Sequence, residues 1–250
     1  QMKRSGRESL DCANALQELS ELGVENIITF DAHDPRVMNA VPLAGFETVS
    51  PTYQFIKNIL RCESDLIIDN GHMMAVSPDE GGMSRAIYLA NVLGIDMGMF
   101  YKRRDYTTLI DGTNPIVAHE FLGTEVSGKD VIIIDDMISS GDAVLETAAL
   151  LKRKNANRIF ICSTFGIFTN GLSRFDDAYR RGLFNHLITT NLVYQSDELK
   201  SRPYYITCDM SKYIALIIDT LNHDASLSGL LNPVDRINKV LKKYASHQKI

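Results

Sequence analysis

The sequence predicts an α/β protein with mainly parallel sheets, and three observations carry this prediction. Short apolar runs alternate along the chain with segments of helical spacing. The most regular run, residues 131–134, is entirely β-branched and apolar, as expected of a strand buried on both faces of a parallel sheet. The acidic pair, Asp135 and Asp136, follows at the expected strand end. The small-residue loop 139–141 then precedes helical spacing over residues 143–154.

Composition is that of an ordinary globular protein and excludes several classes of function. The 250 residues are 45% hydrophobic, and 26 Lys and Arg against 31 Asp and Glu give a net charge of −5. We therefore expect no nucleic-acid partner and no anionic membrane surface as partner. The four cysteines lack metal or redox spacing and favour reduced thiols in the cytoplasm. No apolar run approaches the roughly 18 residues of a membrane span.

The amino-terminal segments begin the alternation of helix and strand. Leu10, Ala13, Leu16 and Leu19 predict a helix over residues 8–22, and residues 24–30 predict a strand. His33 follows where that strand ends. A lone histidine is more often structural than a ligand, so its spacing alone leaves its role open.

A second strand-to-helix loop follows the domain boundary expected near residue 51. Residues 52–60 have helical spacing, the apolar segments 65–68 and 73–76 flank a polar turn, and residues 84–93 are again helical. Between the last two lies a loop with Asp79, Gly81 and Gly82, which we call the pyrophosphate loop (77–82). Paired glycines let backbone amides approach a diphosphate. The alternative is a β-turn that only caps its helix.

Three consecutive cations follow the next strand. Residues 96–100 predict a short, edge-like strand, and Lys102, Arg103 and Arg104 come directly after it. Such a run is usually a solvated face. Here it precedes the polar residues 106–114, which are of the kind that forms a mobile lid.

The remaining segments continue the same alternation. The predicted strands are 158–164, 187–194 and 204–208, and the predicted helices are 175–182, 210–222 and 233–244. Residues 125–129 read as a turn and 165–171 as a glycine-containing loop.

The loop after the acidic pair is suited to a sugar phosphate. Its successive amides and the helix amino terminus behind them suit a phosphate, and open α/β sheets bind ligands at the carboxyl ends of their strands. Because two carboxylates repel an anion, they would instead contact sugar hydroxyls or a hydrated Mg²⁺. The alternative is a strand-end pair that merely caps the next helix.

Four segments together resemble the ribose-phosphate pyrophosphokinase family, which has the type I phosphoribosyltransferase fold. They are ITFDAHDPRV (28–37), VSPDEGGMSRA (76–86), FYKRRD (100–105) and VIIIDDMISSGDAVL (131–145). The resemblance implies two phosphoribosyltransferase-like domains, the first of them incomplete. Residues 1–50 would be the remainder of the first domain, 51–220 the second domain, and 221–250 a carboxyl-terminal segment with a helical extension.

The resemblance also implies an activity and the residues that serve it. The family transfers the diphosphate of MgATP to the C1 hydroxyl of ribose 5-phosphate, giving phosphoribosyl pyrophosphate and AMP. The implied catalytic residues are Lys102 and Arg104. Ribose 5-phosphate would bind Asp135, Asp136, Ser139, Ser140, Gly141 and Asp142. Diphosphate would bind to Asp79, Gly81 and Gly82. The nucleotide would bind to Gln1 and His33, and Mg²⁺ would bind to His33 and Asp79. Ser226 and Ser228 resemble part of an allosteric site. The family forms homo-oligomers built from dimers, including hexamers.

One departure from the family pattern keeps two other functions open. Most members carry a third acid and a threonine after the acidic pair, followed by paired glycines, where this chain has Ser139, Ser140, Gly141 and Asp142. This change favours a catalytically silent, synthetase-like regulatory subunit. A phosphoribosyltransferase that consumes phosphoribosyl pyrophosphate is the other alternative, but it has no need for the segments around His33 and Lys102.

Overall fold

The computed structural model describes residues 8–104 and 116–247; for 102–104, 116–119 and 247 it describes the backbone alone. The chain divides into two compact units, Gln1–Pro51 and Thr52–Ile250. Within the described residues, none of the helices is both long and apolar enough to cross a membrane.

The first unit is a small βαβ-like arrangement. Helix α1 spans Asp11–Glu21, strand β1 spans Asn26–Phe30, a 3₁₀ helix spans Pro35–Ala40, and strand β2 spans Gly45–Val49. Strands β1 and β2 pair in parallel, with Asn26 opposite Gly45 and Phe30 opposite Val49. The helix buries Ala13 and Leu16, two of the apolar positions that predicted it. Strand β2 was not predicted from the sequence.

The second unit alternates strands and helices around one sheet. Its strands are β3 (Met73–Ser77), β4 (Asp96–Arg104), β5 (Ile116–Leu122), β6 (Asp130–Ile138), β7 (Ile159–Gly166), β8 (His186–Thr190) and β9 (Tyr205–Cys208). Its helices are α2 (Thr52–Cys62), α3 (Met83–Leu93), α4 (Asp142–Arg153), α5 (Ser173–Arg180), α6 (Asp197–Lys200), α7 (Ser211–Asn222), α8 (Ser228–Leu231) and α9 (Val234–His247). The predicted α/β class with mainly parallel sheets is confirmed.

The strand order of this sheet changes direction near its centre. The order is β5-β4-β3-β6-β7-β8-β9, and every pairing except that of β4 with β5 is parallel. From β3 the chain proceeds to β4 on one side, and it then returns to place β6 on the other side. The strand order therefore reverses between β3 and β6. Open α/β sheets bind their ligands at the carboxyl ends of the strands that flank such a reversal.

Strand β6 is longer than the sequence suggested. We expected it to end at the acidic pair, but it continues through Asp135 and Asp136 to Ile138. The extension is stabilised by β7, because Met137 lies opposite Phe165 and Ile138 opposite Gly166. Ile138 is buried, so the alternation of buried positions persists beyond the acids.

Strand β4 is not an edge strand. It runs to Arg104 and pairs on its outer side with β5, which the sequence analysis missed. Lys102 therefore lies in a strand of an antiparallel pair rather than after its end. Residues 106–114, which we expected to form a lid, lie outside the described residues.

The carboxyl-terminal helix α9 packs against α2. The Tyr244 hydroxyl donates to the Glu63 carbonyl oxygen at 2.7 Å and accepts from the Leu66 amide at 2.8 Å. Ile237 is fully buried, and the Arg236 guanidinium lies 5.2 Å from the centre of the Tyr53 ring. Contacts near both of its ends thus hold α9 against the rest of the second unit.

Candidate active site

The pyrophosphate loop closes on its own carboxylate. Asp79 follows β3, and its Oδ1 atom accepts hydrogen bonds from the amides of Gly81 at 2.9 Å and Gly82 at 3.3 Å. The Ser77 hydroxyl donates to the Asp79 carbonyl at 2.6 Å. A Cβ at residue 82 would lie 2.6 Å from Ser77 Oγ, so any larger residue there would force the Ser77 side chain to move. A diphosphate that used these two amides would have to replace the Asp79 carboxylate as their acceptor.

The acidic pair lies near the carboxyl end of β6, beside the reversal in strand order. Asp136 is 6% exposed, and its amide donates to Asp135 Oδ1 at 2.9 Å. Burial, followed by the negative charges of Asp136 and Asp79, raises the pKa of Asp135 to about 8. The structure therefore brings the carboxylates of two predicted site segments close enough to repel each other. Such a site favours a cation or hydroxyl donors.

Arg85 is a site residue that the sequence analysis missed. Its Nη2 atom lies 3.5 Å from Asp136 Oδ2, and both side chains are largely buried, with exposures of 11% and 9%. Its Nη1 atom also donates to the Gly81 carbonyl at 3.3 Å. Arg85 thus links the pyrophosphate loop to the acidic pair. The sequence contained an indication of this role, because Arg85 lies in the first turn of α3. The helix dipole disfavours a cation there unless a specific partner holds it.

Gly141 fixes the loop between β6 and α4. It is the residue before α4 and has φ of +86°, a left-handed conformation that favours glycine. A Cβ there would also lie 2.4 Å from Cζ of Phe175, which is fully buried. The Thr169 amide donates to the Ser139 carbonyl at 3.0 Å, which ties the other end of the loop to the segment after β7.

Asp142 places a carboxylate at the amino terminus of α4, where a phosphate was expected. The Ser140 hydroxyl donates to Asp142 Oδ2 at 2.7 Å, and Arg174 on α5 forms an ion pair with Oδ1. A serine hydroxyl, a guanidinium and a helix amino terminus are groups that also bind phosphate. The side chain of Asp142 therefore binds Ser140, one of the donors that was expected to bind the phosphate. Arg174 was missed because a charged residue on a charged helix is usually solvent-exposed.

The other predicted site residues are described only in part. His33 is exposed in the bend after β1, next to Asp34, whose pKa is lowered to about 2 chiefly by its hydrogen bond with Arg36. Lys102 and Arg104 lie in β4, but their side chains lie outside the described residues, as does all of Gln1. Ser226 and Ser228 are exposed and joined by a hydroxyl-to-hydroxyl hydrogen bond of 3.0 Å.

No preformed metal cage is present in the described part of the chain. Within residues 8–104 and 116–247, no group of three or more His, Cys, Asp or Glu side chains could hold a metal ion. Mg²⁺ usually takes several of its ligands from phosphates and water, so binding of this ion at Asp79 does not require such a group.

Comparison with known proteins identifies a matching domain family and similar sequences. The model of the phosphoribosyl transferase domain matches residues 50–192. The ribose-phosphate pyrophosphokinase of Vibrio parahaemolyticus is 28% identical over 231 residues, which are 92% of this chain and 68% of that protein. Its counterpart from Mycoplasma pneumoniae is 25% identical over 230 residues, which are 91% of this chain and 66% of that protein.

A solved structure shares the fold. The crystal structure of phosphoribosylpyrophosphate synthetase from Mycobacterium smegmatis matches 90% of this chain and 67% of its own, with a TM-score of 0.75 and 20% identity. The matched domain contains both strands that flank the reversal, the acidic pair and the loop before α4. The predicted resemblance to ribose-phosphate pyrophosphokinases, which are enzymes, is confirmed, and the chain belongs to the phosphoribosyl transferase domain family.

Proposed function

We propose that the protein transfers the diphosphate group of MgATP to the C1 hydroxyl of ribose 5-phosphate. The observation that carries the proposal is the pairing of Asp135 and Asp136 with the loop before α4, next to the reversal between β3 and β6. Relatives named ribose-phosphate pyrophosphokinase support the same reaction. The products would be phosphoribosyl pyrophosphate and AMP.

The acidic pair would hold the ribose. Its carboxylate oxygens would accept hydrogen bonds from ribose hydroxyls, while Ser139, Ser140 and the backbone around Gly141 would contact the 5-phosphate. The Asp136 carboxylate is oriented by Arg85, which keeps one of its oxygens from turning away. Hydroxyl donors would relieve the repulsion that raises the pKa of Asp135.

The transfer itself requires charge neutralisation more than covalent help. The C1 oxygen of the sugar forms a bond to the β-phosphorus of ATP, and the bond from that phosphorus to the α,β-bridging oxygen breaks to release AMP. Lys102 and Arg104 would stabilise the charge that develops on the phosphate oxygens. Gln1 and His33 would contact the nucleotide, and Gly81 and Gly82 the diphosphate.

Magnesium fits the donors that the chain offers. Asp79 is close enough to Asp135 for its charge to raise that residue's pKa, and carboxylate oxygens are the ligands that Mg²⁺ prefers. Asp79 and His33 would hold the ion together with oxygens of the nucleotide and water. When bound, Mg²⁺ would neutralise phosphate charge and orient the diphosphate.

Three further assignments belong to the same proposal. Residues 1–50 would be part of a first phosphoribosyltransferase-like domain, residues 51–220 would form a second one, and residues 221–250 would be a carboxyl-terminal segment with a helical extension. The protein would act in the cytoplasm as a homo-oligomer built from dimers. Ser226 and Ser228 would contribute to an allosteric site.

The main alternative is a silent regulatory subunit. The carboxylate of Asp142 favours it, because this group competes with a phosphate for Ser140 and Arg174. A phosphoribosyltransferase is the weaker alternative, since it requires neither His33 nor Lys102.

AMP release separates these functions. The full-length natural protein is given MgATP with and without ribose 5-phosphate, and AMP is measured by chromatography. The proposal expects AMP only when the sugar is present. Absence of AMP, with ribose 5-phosphate binding still detected by calorimetry, would favour the silent subunit. A matched variant, Asp135→Asn with Asp136→Asn, should lose the sugar-dependent AMP.

A further inference from the structure

The chain directly after β7 lies against the loop between β6 and α4. The amides of Ile167 and Phe168 donate to the Ile138 carbonyl at 2.9 and 3.3 Å. The Thr169 amide donates to the Ser139 carbonyl at 3.0 Å. Because β6 and β7 are neighbours in the parallel sheet, these bonds continue the pairing of the two strands beyond their carboxyl ends. The segment after β7 is therefore held beside the expected sugar-phosphate site.

Phe168 adopts a backbone conformation that is unusual for an aromatic residue. Its φ is +52°, in the left-handed region that bulky residues rarely adopt. Its ring meets the buried ring of Phe175 edge-on, with 5.3 Å between the ring centres. The Phe175 ring also packs closely against Gly141, the residue before α4. Strained residues of this kind concentrate at binding sites, where the surrounding packing maintains them.

This arrangement places two exposed hydroxyl groups side by side. Thr169 Oγ1 lies 3.4 Å from Ser139 Oγ, and both residues are exposed. An O–H···O hydrogen bond usually measures about 2.5–3.0 Å, so the two hydroxyls bind each other weakly. Within the described part of the chain, neither hydroxyl has another hydrogen-bond partner. Each of them is therefore able to donate to a ligand.

A phosphate group matches this pair of donors. A phosphate oxygen at the usual hydrogen-bond distance from Ser139 Oγ can also lie at that distance from Thr169 Oγ1, because the two hydroxyls are 3.4 Å apart. Hydrogen bonds to a charged acceptor are about twice as strong as those between neutral groups. A phosphate would thus replace one weak contact between hydroxyls by two stronger hydrogen bonds.

We propose that Thr169 binds the 5-phosphate of ribose 5-phosphate together with Ser139. The Thr169 hydroxyl donates to a phosphate oxygen, and its backbone hydrogen bond to Ser139 keeps this donor in place before the ligand arrives. Local sequence pattern does not single out Thr169, because it lies 30 residues from Ser139. The inference rests on the proposed function, since it assigns one more residue to the sugar-phosphate site of that reaction.

Calorimetric titration of the full-length protein with ribose 5-phosphate tests this assignment. Thr169→Val removes the hydroxyl and keeps the size of the side chain, and it should weaken binding about tenfold, as expected for one hydrogen bond to a charged group. Thr169→Ser keeps the hydroxyl and should bind as the natural protein does. The control is Thr220→Val on α7, where the hydroxyl donates to the Leu216 carbonyl of the same helix, and it should leave the affinity unchanged.

Steady-state kinetics gives a second measurement. Thr169→Val should raise KM for ribose 5-phosphate about tenfold and leave KM for MgATP unchanged, with little effect on kcat. The reason is that a contact with the 5-phosphate, which does not react, stabilises the bound sugar and the transition state alike. A variant that only disturbed the fold would alter the KM values for both substrates or lower kcat.

Two results would overturn the assignment of Thr169. One is unchanged affinity for ribose 5-phosphate in Thr169→Val. The other is equal weakening in Thr169→Val and Thr169→Ser, because the shape of the loop and not the hydroxyl would then be responsible.

The same titrations separate this assignment from the proposed reaction. Binding that depends on the Thr169 hydroxyl, without AMP release, would support the assignment and contradict diphosphate transfer. AMP release that requires the sugar, with unchanged affinity in Thr169→Val, would support the reaction and overturn the assignment. Absence of ribose 5-phosphate binding by the natural protein at millimolar concentration would overturn both.

Discussion

Arg174 on α5 holds the carboxylate of Asp142 at the first residue of α4, and Ser140 donates to the same carboxylate at 2.7 Å. A negative side chain thus lies in the first turn of the helix whose amino terminus is expected to bind a sugar phosphate, and it binds the Ser140 hydroxyl. Both side chains of the ion pair are at least half exposed, so a phosphate dianion has access to the same partners. Binding of ribose 5-phosphate at this loop should therefore be limited by competition with Asp142.

Removing the charge of Asp142 should strengthen sugar-phosphate binding. In Asp142→Asn, Ser140 and Arg174 no longer bind a carboxylate, and the negative charge that repels the phosphate is removed. A hydrogen bond to a charged group contributes about 1.5–3 kcal/mol, so we expect ribose 5-phosphate to bind about tenfold more tightly by calorimetry. Asp177→Asn is the control, because Asp177 pairs with Arg180 on the same surface of α5. Unchanged affinity in Asp142→Asn would mean that the phosphate does not bind at this loop.

Asp135 should make the folded state less stable as the pH rises. Its pKa is raised from the ordinary value of 3.8 to about 8, so between these values the folded protein binds more protons than the unfolded chain. The free energy of unfolding therefore falls with increasing pH across this window. Asp135→Asn removes the effect, and its advantage over the natural protein should grow from pH 5 to pH 8 and reach a few kcal/mol, in order of magnitude.

Urea unfolding at pH 5, 6.5 and 8 measures this trend. Asp197→Asn is the control, because Lys200 lowers the pKa of Asp197 and any effect of that residue is confined to more acidic solution. A constant difference in stability between Asp135→Asn and the natural protein at all three pH values would contradict the prediction.

Lys102→Ala should lower turnover more than it lowers substrate affinity. A cation that acts on the developing charge contributes mainly to the transition state, so we expect a loss of about 10²-fold in kcat with small changes in KM. Arg103→Ala removes an equal charge from the neighbouring residue of β4 and should cost much less. Equal losses in the two variants would indicate that the cationic run acts through its summed charge alone.

Arg158 should be important for the stability of the second unit. Asp130 is 4% exposed, and the Arg158 side chain contacts it at 2.7 and 3.1 Å. Arg158→Met would leave that carboxylate buried without its main partner, which costs about 3–5 kcal/mol of unfolding free energy. Arg180→Met breaks an exposed pair with Asp177 and should cost about 0–1 kcal/mol. Chemical denaturation distinguishes the two, and similar small losses would show that Asp130 is well solvated.

The sequence predicted the parts of the site that are local in the chain. The acidic pair, the glycines of both loops and the helices behind them follow each other within a few residues, so strand and helix periodicity were enough to place them. Strand β5 was missed because it follows a long polar stretch, and its pairing with β4 depends on the sheet. The continuation of β6 past its acids was missed for the same reason, since β7 stabilises it.

The charged residues that pair with the site residues could not be predicted from the local sequence pattern. Arg174 lies 32 residues from Asp142, and only the packing of α5 beside α4 brings them together. Arg85 and Asp136 meet because β3 and β6 are neighbours, although 52 residues lie between β3 and β6. Such pairs require the strand order, which periodicity does not specify.

The most direct test of the proposed reaction follows the β-phosphorus of ATP. The full-length protein is incubated with ATP labelled at the β-phosphorus, Mg²⁺ and ribose 5-phosphate, and the labelled products are separated. The proposed diphosphate transfer predicts label in phosphoribosyl pyrophosphate together with an equal amount of AMP, and neither product without the sugar. Label that remains in ATP or appears in ADP, while calorimetry still detects bound ribose 5-phosphate, would contradict the transfer and favour a silent subunit.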